Sequence, residues 1–153
     1  MTTQIRSIGD LVAVRRAAAN TAVTAGGAGD NTEVAGVILD RAAIGFPQSA
    51  VVAIPFTATL AAGATLSIAW DIDEGNNSGL SDAEVLASAA AAVVATGPVG
   101  GGTVSGTFEA NVPLSGAGRY VRLNFTPNLS AANTDTAALS AVVVFGGMDR
   151  LPQ

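Results

Sequence analysis

Thr65-Leu66-Ser67-Ile68-Ala69-Trp70-Asp71-Ile72-Asp73 alternates without a break, with Leu66, Ile68, Trp70 and Ile72 on one side and Thr65, Ser67, Ala69 and Asp71 on the other. Successive side chains of a strand point to opposite faces, so this stretch predicts a strand with one face on a core and the other on water. The pattern repeats outward along the chain. Upstream, Ser49–Ala58 places Val52, Ile54, Phe56 and Ala58 on one face, and Leu60-Ala61-Ala62-Gly63 supplies the turn between the two strands. Downstream, Val104, Gly106, Phe108, Ala110 and Val112 alternate with polar neighbours. Val121, Leu123 and Phe125 do so within Arg119–Thr126, as do Leu139, Ala141, Val143 and Phe145 before Gly146-Gly147.

Three segments are less regular. From Thr32, Val34, Gly36 and Ile38 alternate with Ala35, Val37 and Leu39, and both sets are apolar, which predicts a strand covered on both faces and ended by Asp40-Arg41. Ser81-Asp82-Ala83-Glu84 has the form of a helix capping box ahead of an Ala-rich run to Ala95. A helix there would have no polar face, which favours a strand, although the helical alternative stays open. Ile5, Ile8, Leu11 and Val12 fit one helical turn or an extended arm leading into a strand Leu11–Arg16, and Gly9-Asp10 favours the arm. Strand starts at Leu11, Glu33, Ser49, Thr65, Glu84, Thr103, Arg119 and Ala138 predict an all-β fold, an eight-stranded antiparallel sandwich or jelly roll with an extended N-terminal arm. Residues 1–16 read as the arm and first strand, and 17–153 as a single sandwich domain. No internal repeat points to a solenoid.

Composition narrows function. The 153 residues include no His and no Cys, which removes disulfides, imidazole or thiolate metal sites, Cys nucleophiles and a His general base. Charged residues are 12%, about half the usual share. So weakly charged an exterior suits a protein whose faces are covered by an assembly, and a structural role is expected rather than an enzyme. Net charge is −5, with seven basic residues, all Arg. That leaves no basic stripe for nucleic acid. Arg6, Arg15 and Arg16 outnumber Asp10 in residues 1–16, so a basic arm on an acidic body is predicted to reach an acidic neighbour. The apolar run Leu11–Val14 stops at Arg15-Arg16, no secretory core follows, and synthesis in a host cytoplasm is expected. Ala42–Trp70 carries no charge but is interrupted by Pro47, Pro55 and Gly63, against a membrane span.

Few motifs carry chemistry. Asp71, Asp73, Glu74, Asn76, Asn77, Ser78 and Asp82 form the densest oxygen cluster, over the length of an EF-hand loop. The match is poor, because Asn76 stands where Gly is needed and Asp82 where a bidentate Glu is needed. A solvated hairpin loop is expected, with no metal and no cofactor; Ca²⁺ is the alternative. Asp71 and Asp73 could imitate a glycosidase pair, but they project from one short segment and no second acid elsewhere is marked by context. Gly97-Pro98-Val99-Gly100-Gly101-Gly102 lacks the Lys of a phosphate-binding loop.

Gly118-Arg119-Tyr120-Val121-Arg122-Leu123-Asn124-Phe125, after the connection Pro113–Ala117 and before a last apolar strand, resembles the penultimate strand of the small jelly-roll cement, or decoration, proteins of tailed bacteriophages. The polar loop Trp70–Ser78 with Ser81-Asp82-Ala83 resembles their mid-chain loop. The resemblance covers about two thirds of the chain, from Val51 onward. It implies a homotrimer on the outer capsid surface of the virion that clamps neighbouring major capsid proteins. Arg6, Arg15, Arg16, Tyr120 and Arg122 are the expected capsid or subunit contacts. The competing reading is a carbohydrate-binding or adhesin-like sandwich. It needs exposed rings, and Tyr120 is its main candidate while Trp70 is expected in the core.

Overall fold

The computed structural model describes residues 8–131 and 134–148. Among the described residues nine strands are present: β1 (Val12–Thr24), β2 (Val34–Ala35), β3 (Leu39–Asp40), β4 (Ser49–Leu60), β5 (Thr65–Gly75), β6 (Glu84–Thr96), β7 (Gly102–Pro113), β8 (Tyr120–Leu129) and β9 (Thr136–Gly146). They form two antiparallel sheets, ordered β1-β9-β4-β7 and β2-β8-β5-β6, with β3 also on β8. Counting β2 and β3 as one interrupted strand gives the eight-stranded jelly roll. The predicted alternation is seen directly in β5: Leu66, Ile68, Trp70 and Ile72 are buried while Thr65, Ser67, Ala69 and Asp71 are half-exposed. Phe125, Phe145, Ile54, Leu66, Ile68, Leu123 and Leu139 fill the space between the sheets. Each such side chain contributes about 1.5 to 3 kcal/mol of burial free energy, enough for a single core without staples.

The Ala-rich run folds as β6, on the strand side of the ambiguity. Its pairing with β5 slips near Val94, Ala90-Ala91 and Leu86. These slips turn Leu86 and Val94 toward the core and leave Val85 and Val93 on the outer surface.

Two expectations need correction. The 33–39 segment is not covered on both faces: Val37 is 43% and Ile38 37% exposed. Its apolar character has another cause, since it bridges the two sheets. Gly36 N–H donates to Leu123 O on β8 (3.0 Å), and the next amide, Val37 N–H, donates to Ala17 O on β1 (2.7 Å). A Cβ on Gly36 would lie 2.2 Å from Leu123 O and 2.7 Å from Ala17 O, so only glycine passes here. The described part of the N-terminal arm is also not extended, because Ile8–Asp10 forms a single 3-10 turn closed by Leu11 N–H to Ile8 O. β1 then continues beyond Arg16 to Thr24, with register slips between Arg16 and Ala18 and between Ala18 and Thr21.

After β3, Asp40 accepts from Ala42 N–H (2.9 Å) and caps a 3-10 turn Arg41–Ile44, which Gly45 ends in the left-handed region. Arg41 is 3% exposed. Its guanidinium donates to the carbonyls of Pro47 (2.8 Å), Leu114 (2.9 Å), Gly118 (2.8 Å) and Ala117. One buried cation thereby fixes both the turn into β4 and the connection into β8.

Candidate functional site

The outer face of the β1-β9-β4-β7 sheet can be read from register. One row across it is Val14, Val144, Val51 and Asn111, and the next is Arg16, Val142, Ala53 and Glu109. Val14 is 56% exposed and the valines behind it are half-buried. An open depression of about 540 Å³ lies at this end, lined by Val12, Val51, Val112, Pro113 and Val144 among others. Toward the opposite end the face becomes hydroxylic, with Thr57 paired to Ser105 and Thr59 to Thr103, both at 3.1 Å. The surface is thus an apolar patch with one Arg and one Glu at its lateral borders.

Arg15 and Arg16 are both exposed, and Arg15 donates to the adjacent Val14 carbonyl (3.0 Å). Two adjacent strand residues both reach water because β1 is an edge strand and its register slips just after Arg16. Arg6 lies outside the described residues.

Tyr120 and Arg122 sit on the outer face of the other sheet, so the five expected contact residues do not form one surface. Arg122 pairs with Asp73 (2.7 Å), and Asn124, 3% exposed, donates to Asp71 (2.8 Å) and Asp73 (2.9 Å). Tyr120 is half-buried rather than exposed. The Arg119 guanidinium lies 5.1 Å from its ring centroid and is itself held by Asp40 through two bonds of 3.0 and 2.8 Å. That bidentate bond, with help from the Ala42 N–H, holds the Asp40 carboxyl below its ordinary 3.8. The ring proposed for sugar stacking is therefore already covered on one face, and Trp70 belongs to the core at 9% exposure.

The oxygen cluster of the β5–β6 loop is spent internally. Asp82 accepts from Asn76 N–H (2.9 Å) and Asn77 N–H (3.1 Å), which hold its carboxyl below the ordinary value, and Asn77 accepts from Gly79 N–H (2.9 Å). Glu74 accepts from Gly118 N–H. Asp71 and Asp73 face the sheet surface instead of the loop. Among the described residues no three His, Cys, Asp or Glu side chains converge as a metal site. None of the described helices is long and apolar enough to cross a membrane. Sequence reading missed Glu109 as the acidic border of the apolar face; only its register opposite Ala53 reveals it.

No protein-family model matches the chain, and no curated protein matches it. Among solved structures, that of the infectious bursal disease virus Gx strain is 13% identical with a TM-score of 0.49, covering 92% of this chain and 33% of that one. The Gt strain structure gives 14% and 0.48, and the VP2 subviral particle of the same virus 12% and 0.48, each covering 92% of this chain and 34% of theirs. The chain spans about a third of the length of these structures.

Proposed function

We infer that this chain is a structural virion protein, not an enzyme. It binds the outer surface of an assembled phage capsid as a homotrimer and clamps neighbouring major capsid proteins. The observation that carries the reading is the pair of exposed arginines, Arg15 and Arg16, at the border of an apolar sheet face in an otherwise acidic chain. The sequence resemblance around Arg119–Phe125 supports the same assignment.

The mechanism is linkage. A clamp that binds the assembled lattice but not separated subunits shifts the equilibrium toward the intact shell. Once one arm of an oligomer engages, the others bind at high effective concentration, so no single contact has to be strong. Co-sedimentation with emptied capsids of the encoding phage tests this. Binding is expected to weaken as salt rises from about 50 to about 500 mM, because exposed charge pairs are screened. The variant carrying Arg15→Ala and Arg16→Ala should bind less at low salt. A protein that leaves capsids bare at micromolar concentration refutes the proposal.

A further inference from the structure

The edge of the second sheet is guarded only by the bulges of β6. β6 ends the strand order, so among the described residues one side of its backbone has no neighbour in the sheet. From Val85 to Thr96 it has no charge and no proline, two of the devices by which free edges normally avoid pairing. Val85 and Val93 are each 61% exposed, and Ser88–Ala92 are exposed between them. The other side of the sandwich is closed by the chain itself through Gly36 and Val37, so this opening is specific to the β6 side.

The strand is also self-complementary. Val85 and Val93 lie four residues to either side of Ala89, and both share the outer face, opposite Asp73 and Ser67 of β5. We propose that β6 pairs antiparallel with β6 of a second copy of this chain, about a two-fold axis at Ala89, with Val85 of each copy opposite Val93 of the other. Between the two valine pairs only Leu86, which is turned toward the core, is larger than serine. The two Glu84 side chains fall at opposite ends of the ladder, about ten residues or roughly 33 Å apart, far beyond the screening length of about 8 Å at physiological salt. The occupant is a second copy because this register matches apolar to apolar on the outer face and keeps the like charges apart. The contact is independent of capsid binding. The three-fold contact implied by the resemblance must use other surfaces, so the expected mass is an even multiple of the 15.0 kDa chain.

Sedimentation equilibrium of the purified chain without capsids tests the pairing, with circular dichroism to show that each variant is folded. The parent should associate at about 10 to 100 μM. V85K/V93K places like charges opposite each other twice and should weaken association about tenfold or more. V85K/V93E changes the same two exposed positions but places opposite charges together, and should stay within about threefold of the parent. Within one chain these positions are too far apart to interact, so a purely structural role would not separate the two variants. A parent that is monomeric or a lone trimer overturns the proposal. So does association that V85K/V93K leaves intact, or that both variants break equally.

Discussion

Replacing Arg41 by Met tests whether one buried cation organises the loop end of the sandwich. Methionine keeps an unbranched apolar stem and removes every donor. Four carbonyls, those of Pro47, Leu114, Ala117 and Gly118, lose a charged partner. Hydrogen bonds to charged groups contribute about 1.5 to 3 kcal/mol each, or roughly 6 to 12 in total. Relief of the guanidinium's desolvation returns several kcal/mol, leaving a net loss of about 3 to 5 kcal/mol. For a domain of this size 1 kcal/mol moves Tm by about 2 to 4 °C, so the variant should melt roughly 6 to 20 °C below the parent. Arg41→Lys should fall between them, because a compact ammonium with three donors cannot span four carbonyls set around a planar fork. The assay is thermal and urea unfolding followed by circular dichroism. A Met variant melting within about 3 °C of the parent, with an unchanged urea slope, would mean that water replaces the guanidinium and that Arg41 is not the clamp.

Gly36→Ala should destabilise by about 2 to 3 kcal/mol, since backbone on two sheets must move, whereas Gly27→Ala, whose Cβ meets nothing closer than 3.4 Å, should change stability by under about 0.5 kcal/mol; paired thermal melts decide. Asp40 has a lowered carboxyl pKa in the fold, so its stabilising contribution is present above 3.8 and is lost as pH falls through the lower folded value. The Tm difference between the parent and Asp40→Asn should therefore hold from neutral pH to about pH 5 and shrink below about pH 4. Because both side chains keep contact with water, screening should keep the whole effect small.

The strands most legible in the sequence are those with one wet face. β4, β5, β8 and β9 alternate cleanly because burial on a single side imposes period two, and their observed limits differ from the expected ones by at most three residues. The rest was hidden for local reasons. Residues 17–24 of β1 are Ala, Asn, Thr and Val, and two register slips erase the period there. The 33–39 segment looked doubly covered because a bridge between sheets, like a central strand, has apolar residues of both parities. Arg41 gave no signal beyond an arginine next to a long uncharged run, since three of the carbonyls it binds, those of Leu114, Ala117 and Gly118, are more than 70 residues away. The placement of Arg16 and Arg122 on opposite sheets depends on long-range pairing, which local alternation cannot give.

The shortage of charge and the shape of the sandwich have a common physical consequence. Burying an ionised side chain at an interface costs several kcal/mol unless a partner is placed for it, while burying Ala, Val or Thr costs only side-chain entropy, which for these small residues is slight. A surface meant to be covered is therefore cheapest when it is neutral. In this chain the neutral surface includes the apolar half of the β1-β9-β4-β7 face and the edge of β6. Some of the charges are paired, as in Arg119–Asp40 and Arg122–Asp73, and others stand at a border of the apolar face, as Arg16 and Glu109 do. Border charges are the ones that set orientation and salt dependence without being buried. Apolar contact should thus hold partners together while Arg15 and Arg16 determine how salt tunes the encounter, so raised salt should weaken capsid binding before it affects self-association through β6.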